Sequence, residues 1–84
     1  MTKEEFIEKI KELGFKNVEM VIGKSDNELF FKNYNDQLKI KCNVWYDDAS
    51  LHFFADDEKI MTASCVTYDF ALFLIKKIEN GFNN

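Results

Sequence analysis

Between residues 37 and 55 the chain changes character at every second position. Leu38, Ile40, Cys42, Val44 and Tyr46 alternate with Lys39, Lys41, Asn43 and Trp45; Leu51, Phe53 and Ala55 alternate with His52 and Phe54. A period of two marks a strand with one buried face. Closing the chain at Asp47-Asp48, or over residues 47–50, sets Val44 opposite Leu51 or Phe53. Either closure keeps the same side chains inward, because only a one-residue slip exchanges the faces. The pattern predicts a central hairpin whose outer face carries Lys39, Lys41, Asn43, Trp45, His52 and Phe54.

The flanking segments read as cover and extension. Residues 2–13 have the helical stripe Phe6, Ile7, Ile10 and Leu13, opened by the capping box of Thr2 and Glu5 and closed by Gly14, with Phe15 folding back. Residues 18–23 predict a first strand with Val18, Met20 and Ile22 on one face, and residues 24–27 a turn. Residues 28–34 predict a second strand, Leu29 and Phe31 inward, Phe30, Lys32 and Tyr34 outward. A tight turn at Asn35-Asp36 would then set Leu29 beside Cys42 and Phe31 beside Ile40. After an acidic turn at Asp56-Asp57-Glu58, residues 59–66 predict a fifth strand with Met61, Ala63 and Cys65 inward. Thr67 caps a helix over residues 68–80, in which Phe70, Ala71, Phe73, Leu74, Ile75 and Ile78 cover more than half the circumference. Asn80-Gly81-Phe82 repeats the Leu13-Gly14-Phe15 ending. The expected fold is α+β, one domain over residues 1–84: an antiparallel four- or five-stranded meander between an N-terminal and a C-terminal helix, α-β-β-β-β-β-α in two layers, both helices on one face.

Composition narrows the function. The chain has 84 residues, 46% of them hydrophobic, enough for one core. No apolar run approaches a membrane span, and the charged amphipathic N-terminus does not read as a signal peptide, so a cytoplasmic location, in a bacterial host, is expected. Cys42 and Cys65 are both expected as buried free thiols. The net charge is −4, and all eleven basic residues are Lys. Abundant Lys, Asn, Ile and Phe without Arg is the coding bias of an AT-rich genome. Arg supplies the fork that reads guanine and clamps phosphate, so an acidic, Arg-free domain is a poor reader of DNA sequence.

Catalytic and metal chemistry find little support. Ser50 and His52 with Asp47 or Asp48 hold the residue types of a triad, but two residues apart on a strand leaves them about 7 Å from each other, beyond a nucleophile–base hydrogen bond. The turn carboxylates lack calcium-loop spacing. No enzyme activity, metal or cofactor is expected.

Two surfaces are candidate binding sites. In a meander, alternate loops share an end of the sheet. Asp26, Asp47 and Asp48 therefore gather at one end, and Asp36, Asp56, Asp57 and Glu58 at the other, each a negative surface for a basic partner. Between them, Phe30, Lys32, Lys39, Lys41, Trp45 and Phe54 would form an open face, suited to a protein partner or to stacking single-stranded nucleic acid. The same face could instead be sealed by the first helix, or serve oligomerisation.

The short N-terminal helix closing at Leu13-Gly14-Phe15, the strand-rich middle with acidic turns and the amphipathic helix ending in Asn80-Gly81-Phe82-Asn83 resemble small acidic anti-CRISPR proteins of phages and prophages. The likeness covers the chain in organisation and only these residues in sequence. It implies a stoichiometric, non-catalytic inhibitor that blocks a nucleic-acid groove of a CRISPR effector nuclease in the host, through Asp47, Asp48, Asp56, Asp57 and Glu58, with Trp45 as an apolar anchor.

Overall fold

Thr2 starts the first helix as its capping box requires. Its hydroxyl accepts the backbone N–H of Glu5 at 3.1 Å, and the Glu5 carboxylate accepts the N–H of Thr2 at 3.1 Å. The computed structural model describes residues 1–20 and 27–82. Among these the chain runs α1 (Lys3–Glu12), β1 (Lys16–Met20), β2 (Glu28–Asn33), β3 (Leu38–Val44), β4 (Ala49–Ala55), β5 (Glu58–Val66) and α2 (Tyr68–Phe82). The strands form one antiparallel sheet in sequence order. This is the predicted α+β meander, a helix at each end. The first strand was expected over 18–23; it lies over Lys16–Met20, and Ile22 and residues 24–26 of the turn expected over 24–27 fall outside the described residues.

The core lies between one face of the sheet and the two helices. Phe6 and Ile10 of α1 and Ala71, Leu72 and Ile75 of α2 pack with Ile40, Cys42, Val44, Leu51 and Phe53. α1 closes at Gly14, φ 98°, where the N–H of Gly14 donates to the Lys11 carbonyl and that of buried Phe15 to Ile10. Thr67 caps α2 by accepting the N–H of Phe70 at 3.1 Å. The expected stop at Gly81 is corrected: α2 continues through Gly81 to Phe82. α1 is stopped because Phe15 has a core to enter. At Gly81 an added Cβ would meet nothing within 4 Å, so no packing turns the chain back.

The central hairpin keeps its predicted faces despite a different turn. Ile40 pairs with Phe53, Cys42 with Leu51 and Val44 with Ala49. The turn falls at Tyr46-Asp47, closed by the Trp45 N–H donating to the Asp48 carbonyl at 2.8 Å. The shift is an even number of residues, so the buried set survives, but Tyr46 moves from an expected inward site to the exposed turn.

β2 is reversed. Phe30 pairs with Cys42 and Lys32 with Ile40, so Phe30 is 1% exposed in the core, while Leu29 and Phe31 share the opposite face with Lys39 and Lys41. The cause is one residue in the turn. The Asn35 side chain accepts the N–H groups of Gln37 at 2.7 Å and Leu38 at 2.8 Å, and Tyr34 N–H donates to the Leu38 carbonyl. The turn therefore holds Asn35, Asp36 and Gln37 where two residues were expected, and one extra residue exchanges the faces.

β5 is corrected too. It is exposed along most of its length; of the expected inward set only Ala63 is half-buried, Met61 is 48% exposed and Cys65 is exposed. Two helices at about 10 Å each cover four strands at about 4.8 Å spacing, so a fifth strand has no roof. The β4–β5 pairing is irregular between Phe53/Phe54 and between Ala49/Leu51. At the second, Cys65 takes φ 55° and its N–H donates to the buried Ser50 hydroxyl at 3.2 Å.

Candidate partner-binding face

The reversal of β2 builds the site. With both helices on the other side, Leu29 and Phe31 lie on the open face with Phe54 of β4 and Val18 of β1. They floor a groove of about 420 Å³ flanked by Lys39, Lys41 and Asp57. Of the predicted open-face set, Lys39, Lys41 and Phe54 stand there; Phe30 and Lys32 do not. The alternative in which the first helix seals the open face is not what folds: Phe30 is buried, but from the other side, and Phe54 stays half-buried.

Lys32 has a different task. Its ammonium lies 4.6 Å from the Tyr34 ring centroid, donates to the Leu13 carbonyl at the end of α1, and meets Glu79 of α2 at 2.6 Å. The Tyr34 hydroxyl donates to the same carboxylate oxygen at 2.9 Å. Burial first, then that carboxylate, push the Tyr34 hydroxyl far above its ordinary pKa. Lys32, Tyr34 and Glu79 thus join β2 to both helices.

The groove's charges are partly matched. Lys39 pairs with Asp57 at 2.5 Å, placing one turn acid on the groove wall. Further along, His52 lies with its Nδ1 3.4 Å from the Thr62 hydroxyl. Burial, then Lys59, then Lys41 hold its imidazole below the usual pKa, so this stretch is locally positive. Trp45, one residue beyond β3, is half-buried. Its carbonyl accepts a hydrogen bond from the Tyr68 hydroxyl, which also lies 2.8 Å from the Tyr46 carbonyl.

The turn acids collect at the two ends of the sheet. Asp47 shares a cleft of about 340 Å³ with Glu4, Tyr46 and Tyr68. Burial, then Asp47, Asp48 and Glu4, raise the Tyr68 pKa. Asp26 lies outside the described residues. At the opposite end the Asp56 N–H donates to the Gln37 carbonyl at 2.7 Å, bringing the turn of Asp56 and Asp57 against that of Asp36. Asp56 and Asp57 have φ 51° and 64°, the successive left-handed pair that a tight hairpin turn needs; Glu58 follows as the exposed first residue of β5.

What sequence reading missed was Leu29, Phe31 and Val18. The signal was Asn35, whose side chain favours wrapping a longer turn. Ser50 and His52 prove unrelated in role: Ser50 holds the β5 irregularity and His52 faces Thr62. Among the described residues no group of three or more His, Cys, Asp or Glu is placed to hold a metal ion, and no helix is long and apolar enough to cross a membrane. No family model, curated protein or solved structure matches the chain.

Proposed function

We propose that this chain is a non-catalytic binding protein that captures a protein partner on the open sheet face, its acidic ends selecting a basic surface. The observation that carries the reading is the groove itself: three large apolar side chains, Leu29, Phe31 and Phe54, stand on a face that neither α1 nor α2 covers. Apolar side chains gathered in an open groove, rimmed by charge, are the anatomy of an interface anchor. Lys39, Lys41 and Asp57 flank the groove; Asp56 and Glu58 adjoin Asp57 in the turn, and Asp47 and Asp48, with Trp45 near them in the chain, would extend the contact from the other end of the sheet. In the specific form that the anti-CRISPR resemblance implies, the partner is a CRISPR effector nuclease in a bacterial cytoplasm, and the bound chain blocks its nucleic-acid groove.

Interferometry against purified CRISPR effector nucleases tests this. Wild type is expected to bind at least one, more weakly as salt rises. Phe31→Lys is expected to weaken binding at least ~10-fold, as loss of an anchor does, and reversal of Asp47 and Asp48 together to lower it and flatten its salt dependence. Binding unchanged by all three substitutions would sink the reading. A second reading, single-stranded nucleic acid on Lys39, Lys41, Trp45 and Phe54, is favoured by the positive stretch around His52. Titrating Trp45 fluorescence with oligo(dT) and oligo(U) at low salt separates the two, since stacking quenches the indole.

A further inference from the structure

The two edges of the sheet are built differently. β1 is five residues long, carries Lys16 and is irregular at Val18. Shortness, charge and bulging are the devices that stop an edge strand from pairing. β5 is nine residues long and largely exposed, and residues 60–66, IMTASCV, contain neither charge nor proline. As the last strand in the sheet, it has no neighbour among the described residues for its outward N–H and C=O groups. Apolar exposure continues beside it: Ile60 and Met61 are 61% and 48% exposed, and on α2 Phe70 and Phe73 stack at 6.0 Å while 47% and 51% exposed.

We infer that β5 pairs with β5 of a second copy of this chain, antiparallel about a two-fold axis, making one continuous sheet of twice five strands. Charge permits a second copy, and the symmetry of the pairing favours one. In a molecule of net charge −4, contact between copies is opposed unless the contact is neutral. A dyad near Thr62 sets Met61 against the second copy's Ala63 and Glu58 against its Val66, so no like charges meet. Geometry supplies the roof that β5 lacks. The dyad stands perpendicular to the sheet, so all four helices share a side. β4 and its counterpart then lie three strand spacings apart, about 14 Å. α2 packs over β4, so the two copies of α2 flank the paired β5 strands. The outer edges of the joined sheet are both β1, the protected kind, so association closes at the dimer. The inference is independent of the proposed partner, since the open groove lies on the other face.

Sedimentation velocity from about 5 µM to about 500 µM, where mass action moves a self-association, tests it. Wild type is expected to approach twice 9.9 kDa; Thr62→Lys combined with Ser64→Lys, both at exposed positions, is expected to remain monomeric with an unchanged circular dichroism spectrum. Amide exchange in wild-type β5 is expected to slow as concentration rises, a readout that needs no variant. A monomer at every concentration overturns the inference. So does a dimer that the lysines leave intact, or one whose β5 amides exchange as fast as in dilute solution.

Discussion

One ammonium group connects three elements. Lys32 satisfies the Leu13 carbonyl, one of the acceptors a helix end leaves unpaired, and meets Glu79 across the helix layer. Lys32→Met is expected to lower unfolding free energy by about 1–3 kcal/mol, the cost of leaving a partly buried acceptor and carboxylate without their donor; urea denaturation reads it. The two thiols differ as sharply. Cys42 is buried and its pKa is pushed up to about 12 by that burial, whereas Cys65 is exposed. Iodoacetamide is expected to modify Cys65 alone in the native protein, and both once unfolded; mass spectrometry counts the adducts. The sequence showed both cysteines at inward parity, and only Cys42 followed it, because parity counting does not register the irregularity that Ser50 holds at Cys65. His52 gives a pH effect of definite sign. Its folded pKa lies below the model-peptide 6.5, so the unfolded chain takes up a proton first. This contribution to stability is complete above 6.5 and is lost as pH falls through the folded value. Thermal melts are expected to show His52→Gln less sensitive than wild type below pH 6.5.

At the scale of elements, the limits of α1, the start of α2 and the faces of the central hairpin were legible because several local signals agreed. The capping box, the Gly14 cap and the alternation over residues 38–54 each point to one conformation. Gly14 also sits where an added Cβ would lie 3.3 Å from the Lys32 side chain, at φ 98°. Gly14→Ala is expected to cost about 1–2 kcal/mol from the left-handed backbone. The β2–β3 turn was legible only to within a residue, and that residue decides which face Phe30 and Phe31 occupy. Asn35→Ala removes the acceptor for two backbone N–H groups and is expected to cost about 1 kcal/mol, with loss of the turn seen first in amide exchange. The alternation of β2 could not settle the matter, since Leu29, Phe30 and Phe31 are all apolar and fit either face.

For the whole molecule, the governing quantity is coverage. Two helices roof four strands, and five strands with two faces leave one complete face and one edge bare. The bare face holds the groove of Leu29, Phe31 and Phe54; the bare edge is β5. Sequence located the helices, the strands and the open face, but not the bare β5 edge, because coverage depends on the widths of packed elements and not on any residue's polarity. The proposed capture of a partner depends on Phe31 standing on the uncovered side and Phe30 on the covered one. Ring-proton relaxation by a soluble paramagnetic agent reads that directly. Strong enhancement is expected at Phe31 and almost none at Phe30; enhancement at Phe30 with Phe31 shielded would contradict this arrangement and the capture that rests on it.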